Sequence, residues 1–180
     1  ILKSGNEFPH VMDPGGESYL RQEGRGLCIG FYEKPCEPWS LDGTPWNFGH
    51  ELLNEQFDKI EDSVNFAYRR FPVLERTGMQ LFFNGPESFT ADNRYLLGET
   101  PEVAGLYCAT GFNSIGILSS GGVGKAMAAW LRDGRPPVEL IDVDVRRTQS
   151  FQRNRKYLAD RTVESLGLNF DMHWPSRQFV

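Results

Sequence analysis

Gly105-Leu106-Tyr107-Cys108-Ala109-Thr110 leads into Gly111-Phe112-Asn113-Ser114-Ile115-Gly116, and Ile117 to Ser120 then lead into Gly121-Gly122-Val123-Gly124-Lys125. Gly105–Thr110 is short and nearly all apolar, as a strand buried on both faces would be. The glycine-bearing segment after it reads as a loop. A helix rich in small residues is expected from Ser119 or Ser120 to Arg132, ended by Gly134. Free N–H groups at such a helix start, with the positive end of the dipole behind them, form an anion site. The missing side chains let a flat or phosphorylated ligand come close to the backbone. The same glycines also suit a helix packed tightly against a sheet, and periodicity leaves both readings open.

Two sharper motifs fail. A nucleotide-triphosphate loop needs Gly, four residues, Gly-Lys and then Ser or Thr. Around Gly124-Lys125 the first position is Ser119 and the last is Ala126. A G-x-G-x-x-G fingerprint starting at Gly122 ends on Met127. No complete dinucleotide-binding unit is therefore expected within the chain.

Upstream, residues 1–17 read as a Gly/Pro loop that includes Gly5. Ser18–Glu23 and Leu27–Tyr32 flank Gly24-Arg25-Gly26 and predict a β-hairpin. Residues 33–49 predict a long loop anchored by Trp39 and Trp46. Leu53, Phe57, Ile60, Val64, Ala67 and Phe71 form one apolar stripe at helical period, acidic at its start and basic at its end, before Pro72. Met79–Phe83 predicts a strand. Residues 87–104 predict a loop holding a buried Leu96-Leu97 patch, and residues 146–166 a peripheral helix.

The whole composition sets outer bounds. Among 180 residues, 19 basic against 24 acidic side chains leave a net charge of −5. An acidic chain is a poor partner for nucleic acid. Hydrophobic residues make up 39%, enough for a core. No apolar run approaches the roughly 20 residues of a membrane span. Cys28, Cys36 and Cys108 lack paired spacing, so reduced thiols are expected, with Cys108 a small core residue. His10, His50 and His173 are not at ligand spacing, and no metal site is expected. Tyr19 and Tyr32 on the hairpin are the best exposed phenols. No charged region followed by an apolar core and cleavage site opens the chain, so secretion is not expected. The start at Ile1-Leu2-Lys3 and the end at Phe179-Val180 raise the expectation of a piece of a longer protein.

Several blocks carry a resemblance: Asn84-Gly85-Pro86-Glu87-Ser88-Phe89-Thr90-Ala91-Asp92, Leu96-Leu97-Gly98-Glu99, Gly111-Phe112-Asn113-Ser114-Ile115-Gly116-Ile117, Gly121-Gly122-Val123-Gly124-Lys125, and the tail from Tyr157-Leu158 through Phe170-Asp171 to Trp174-Pro175. Together with Ser18–Glu23 they resemble the flavoprotein oxidoreductases that demethylate N-methylglycines, the dimethylglycine and sarcosine dehydrogenases and dimethylglycine oxidase. The resemblance implies an α+β fold, part of an FAD-dependent oxidoreductase. Residues 1–83 would end an antiparallel substrate-domain sheet. Residues 84–135 would return a strand and a helix to the FAD domain, and residues 136–180 would lead towards a folate-binding region.

It further implies FAD as cofactor, with the pyrophosphate-binding half of its site upstream, and tetrahydrofolate as a one-carbon acceptor in some members. Gly111, Phe112, Asn113, Ser114, Ile115, Gly116 and Ile117 would run along the isoalloxazine, and Tyr19 would face the substrate amine as catalytic residue. The implied partner is a small N-methyl amino acid, in a bacterial cytoplasm or a mitochondrial matrix. The regulatory subunit of pyruvate dehydrogenase phosphatase shares the pattern, which keeps a non-catalytic alternative in play.

Overall fold

The structure is a computed structural model and describes residues 7–33 and 35–167. Gly5, His173 and the tail motif at Phe170-Asp171 and Trp174-Pro175 lie outside the described residues. The described residues form two compact units, one running to Pro86 and one from Glu87 to Ser165.

The first unit is built on a three-stranded antiparallel sheet, β1 (Val11–Asp13), β2 (Ser18–Glu23) and β3 (Gly26–Phe31), in the order β1-β2-β3. The expected hairpin is present, with Ser18 opposite Phe31 and Glu23 opposite Gly26. Gly24, at φ +57°, takes the left-handed position that a two-residue hairpin loop demands. Alternation sends Ser18 and Leu20 into the interior and Tyr19 to the other face. β1 lies inside the segment read as loop. The Asp13 carboxylate accepts from the Gly16 N–H at 3.1 Å and takes a two-pronged contact from Arg70 at 3.0 and 3.1 Å, which ties the sheet to helix α1 (Glu61–Arg70).

Helix α1 keeps the expected polarity, with Glu61 and Asp62 in its first turn, Arg69 and Arg70 in its last, and Val64 and Ala67 buried. It is shorter than the apolar stripe. Leu53 instead gives its N–H to the Asn84 carbonyl at 2.8 Å, and Phe57–Ile60 closes as a 3₁₀ turn. The antiparallel bridge holds Leu53 in strand-like pairing, so helical geometry begins only after it, at Phe57. Met79–Phe83 is not a strand: the Leu53–Asn84 bridge is the pairing recorded beside it, and Met79, Leu81 and Phe83 are exposed. In the long loop Trp39 packs on Phe48 with ring centroids 4.6 Å apart, whereas Trp46 is fully exposed and anchors nothing.

The second unit pairs β4 (Leu96–Glu99) antiparallel with β5 (Tyr107–Thr110) and lays helix α2 (Gly116–Asp133) over them. Leu97, Val123, Met127 and Trp130 form the core, with Tyr95, Tyr107, Phe112, Leu140 and Val143 packed around it. The Leu96-Leu97 patch is therefore strand rather than loop. Its Leu97 N–H also reaches the Val143 carbonyl at 2.8 Å, which brings the later segment onto the sheet. Gly134 closes α2 at φ +70° as expected, and its N–H returns to the Trp130 carbonyl.

Four expectations need correction here. Strand β5 begins at Tyr107, not Gly105, and is half-buried to exposed along its length. Gly105 belongs to a turn at φ +78° whose N–H meets the Glu99 carboxylate at 2.7 Å. Cys108 is accordingly half-buried rather than a core residue. Helix α2 starts three residues before Ser119, because the turn from Phe112 to Ile115 leads straight into helical geometry. Helix α3 (Arg155–Gly167) occupies the second half of the charged 146–166 stretch, after two 3₁₀ turns. Among the described residues no helix is long and apolar enough to cross a membrane.

Candidate cofactor-binding site

The loop from β5 to α2 is shaped by backbone that L-residues rarely adopt. Gly111 stands at φ +68°, Asn113 at +50° and Ser114 at +68°. Glycine and asparagine are the residues that tolerate this region best. Gly111 has a second reason to be glycine: a Cβ there would lie 2.5 Å from the Thr90 methyl.

Asn113 holds the turn from within. Its Oδ1 accepts the Thr90 N–H at 2.8 Å, its Nδ2 donates to the Gly111 carbonyl at 2.8 Å, and its N–H reaches the Ser88 carbonyl at 3.1 Å. Only 8% of it is exposed, so this burial of an amide is matched by hydrogen bonds. Phe112 stacks on Tyr95 with centroids 5.3 Å apart. Of the seven loop residues singled out from the sequence, Phe112 and Asn113 thus hold the loop, while Ser114, Ile115 and Ile117 face outward.

What the loop presents is the start of an 18-residue helix without a side-chain cap at Ile115. The first helical amides, Gly116, Ile117 and Leu118, have no carbonyl partner within the helix. Beside them Ile117 is 96% and Leu118 86% exposed. A concavity of about 400 Å³ adjoins them, lined by the loop together with Glu87, Ser88, Ala109 and Thr110. No lysine or arginine lines it, and Glu87 does. Backbone donors beside exposed apolar side chains suit a flat ring with an electron-rich edge. The residues present therefore fit the ring of a flavin.

Glu87, Ser88 and Thr90 belong to the motif that begins at Asn84, and the sequence alone gives them no place in the site. Ser88 and Thr90 are in fact the outer half of the loop's hydrogen-bond frame. Their signal was the motif's polar residues lying next to Gly85-Pro86, where a chain turns.

The frame is clamped further out. Arg147 pairs with both Asp92 oxygens at 2.7 and 2.9 Å and also donates to the Arg94 carbonyl at 2.6 Å and the Tyr95 carbonyl at 3.1 Å. Burial alone would raise the Asp92 carboxyl, but hydrogen bonds from Arg147, the Arg94 N–H and Thr90, with the Arg147 charge, hold it below the usual aspartate range. Arg146, bonded to Asp144 at 2.5 Å, likewise depresses that carboxyl against partial burial.

Tyr19 belongs to the first unit. It sits opposite Gly30 on β3 and Met12 on β1, and its ring lies where a Gly30 Cβ would be. Tyr32 follows β3 by one residue. A larger concavity in that unit, about 630 Å³ and bordered by Gly16, Asp62, Phe66 and Arg69, includes none of the site residues expected from the sequence. Among the described residues no cluster of His, Cys, Asp or Glu could hold a metal ion.

Residues 2–130 match the family model described as FAD dependent oxidoreductase. The chain belongs to this family. Residues 133–180 match a second model, the FAD dependent oxidoreductase central domain. The chain is 38% identical over 176 residues to 4-methylaminobutanoate oxidase (formaldehyde-forming) of Paenarthrobacter nicotinovorans, covering 96% of this chain and 21% of that protein. It is 35% identical over 169 residues to mitochondrial sarcosine dehydrogenase of Mus musculus, covering 93% and 18%. It is also 32% identical over 171 residues to the mouse mitochondrial pyruvate dehydrogenase phosphatase regulatory subunit, covering 95% and 19%. The chain thus spans about a fifth of the length of these curated relatives. In fold it is similar to L-proline dehydrogenase from P. horikoshii, with a TM-score of 0.57 at 20% identity, over 73% of this chain and 32% of that one. The α+β architecture with antiparallel sheets is that of part of an FAD-dependent oxidoreductase.

Proposed function

We propose that this chain is part of a longer flavoprotein that oxidises N-methylated amino acids. Similarity to proteins named for methylamine substrates supports the substrate class. The observation that carries the reading is the uncapped start of α2, which offers backbone donors beside a concavity without cations.

Bound FAD would supply an acceptor for the hydride that leaves the N-methyl carbon. The protein's part is electrostatic and positional. The amides of Gly116, Ile117 and Leu118, fixed before reaction, would favour negative charge gathering at the ring edge they face. Loss of hydride leaves the substrate as an iminium. Water then releases formaldehyde, or tetrahydrofolate takes the one-carbon unit where a folate region is present. The Tyr19 hydroxyl would contact the substrate amine or carboxylate and help hold the amine unprotonated. In this reading residues 1–83 close a substrate domain, 84–135 return to the FAD domain, and 136–180 lead out of it.

The test is the anaerobic visible spectrum of the parent polypeptide carrying this chain, with sarcosine, dimethylglycine and 4-methylaminobutanoate added in turn. Bleaching of the oxidised-flavin band by one of them is expected. A flavin-loaded protein that none of them bleaches would contradict the substrate class. The relative named as a regulatory subunit supports a second, non-catalytic reading. That reading predicts no bleaching.

A further inference from the structure

Arg161 lies on α3, yet only 4% of it is exposed. Its Nη1 bonds Glu164 on the same helix at 2.5 Å, and both of those side chains are nearly enclosed. Its Nη2 approaches the Oγ of fully buried Ser165 at 3.4 Å. The remaining edge reaches seventy residues back, where Nε donates to the Ala91 carbonyl at 2.9 Å. A buried ion pair is a poor source of stability, since apolar residues of similar volume do as well or better. Geometry is what such a pair can add: it fixes the place of the Ala91 carbonyl.

That carbonyl lies one residue from the frame of the cofactor loop. Thr90 gives its N–H to Asn113, passes its hydroxyl to the Arg94 carbonyl at 2.9 Å, and sets its methyl against Gly111. Asn113 then holds the Gly111 carbonyl. Arg147 grips the far side of the same 88–95 bracket through Asp92. Both arginines come from the segment matched by the central-domain model, whereas the bracket and the loop fall in the other.

We propose that Arg161 is a positioning residue that sets the α2-start amides for their ligand, so that the central-domain segment tunes the cofactor loop through Ala91, Thr90 and Asn113. The ligand's identity as flavin rests on the function proposed above, and the linkage itself does not.

The experiment uses the parent polypeptide with R161M/E164L, which removes both charges together, and R161K, which keeps the charge but not the fork. Both are expected to melt within a few degrees of the wild type. Both are expected to bind flavin about tenfold more weakly and with a shifted midpoint potential. Combining R161M/E164L with N113A is expected to add little to the effect of N113A alone, because the two act through one chain of contacts. Hydrogen exchange at the Thr90, Asn113 and Ile115 amides is expected to quicken in R161M/E164L, with or without flavin. Wild-type flavin affinity, potential and exchange in R161M/E164L would overturn the proposal, as would full additivity with N113A. A parent that binds no flavin would defeat the proposed function, while the exchange data would still decide the linkage.

Discussion

Gly98 lies at φ +107° in β4, and a Cβ there would stand 2.5 Å from the Trp130 ring. The strand thus yields its side-chain space to the largest residue of the core. Gly98→Ala meets both a strained backbone and an overpacked ring, so it should cost about 1–3 kcal/mol in a denaturant titration that follows the second unit. Gly30 plays a comparable part under Tyr19 in the first unit. Gly30→Ala would move the phenol aside. If Tyr19 contacts the substrate as proposed, Gly30→Ala in the parent protein should lower turnover of an N-methyl amino acid while leaving flavin content unchanged, as read by absorbance and steady-state rates. Cys36 is a third case. Burial, with the nearby Glu33 charge, pushes its thiol up to about 11. Alkylation followed by mass spectrometry near neutral pH should therefore label it more slowly than Cys28. The glycines were legible as glycines, but what each one faces, an aromatic ring or a methyl, lies on another element and could not be read from the chain.

Elements were legible where local signals sufficed. The β2–β3 hairpin has two apolar runs and a glycine turn, and α2 ends on Gly134, because both features are set within a few residues. They were misread where a distant partner competes. Leu53 pairs with Asn84 in a bridge and so stays outside α1, and Met79–Phe83 forms no strand. An apolar run cannot reveal whether a neighbouring strand exists, so β5 was expected to be buried and is half exposed. β1 was missed because three residues beside Pro14 carry no periodicity, and Arg70, fifty-seven residues away, helps to fix its end. Asp13→Ala removes the acceptor of the Gly16 N–H together with the Arg70 contact. It should cost about 1 kcal/mol in thermal or chemical unfolding, most of it from the lost cap because Arg70 is half exposed.

At the level of the whole molecule, the charges of the second unit make its stability depend on acid. The Asp144 carboxyl is depressed first by its bond to Arg146, and partial burial does not offset that bond. A carboxyl with a lowered folded pKa stabilises fully above the ordinary aspartate value, near pH 4. That contribution disappears as pH falls from there through the folded value. Asp144→Asn should therefore lower stability at neutral pH and flatten the acid limb of a stability–pH curve. The family assignment was legible, since the glycine loop and its flanking motif sit close in sequence. The clamp from Arg147 and Arg161 was not, because charged residues on a polar stretch read as solvent-facing. The account turns on the claim that the amides at the start of α2 face a flavin ring. The most direct test is the flavin content of the gently purified parent polypeptide, measured by absorbance against protein concentration. One flavin per chain, lost or weakened on Gly111→Val, is the predicted result; a colourless protein that takes up no added FAD would contradict it.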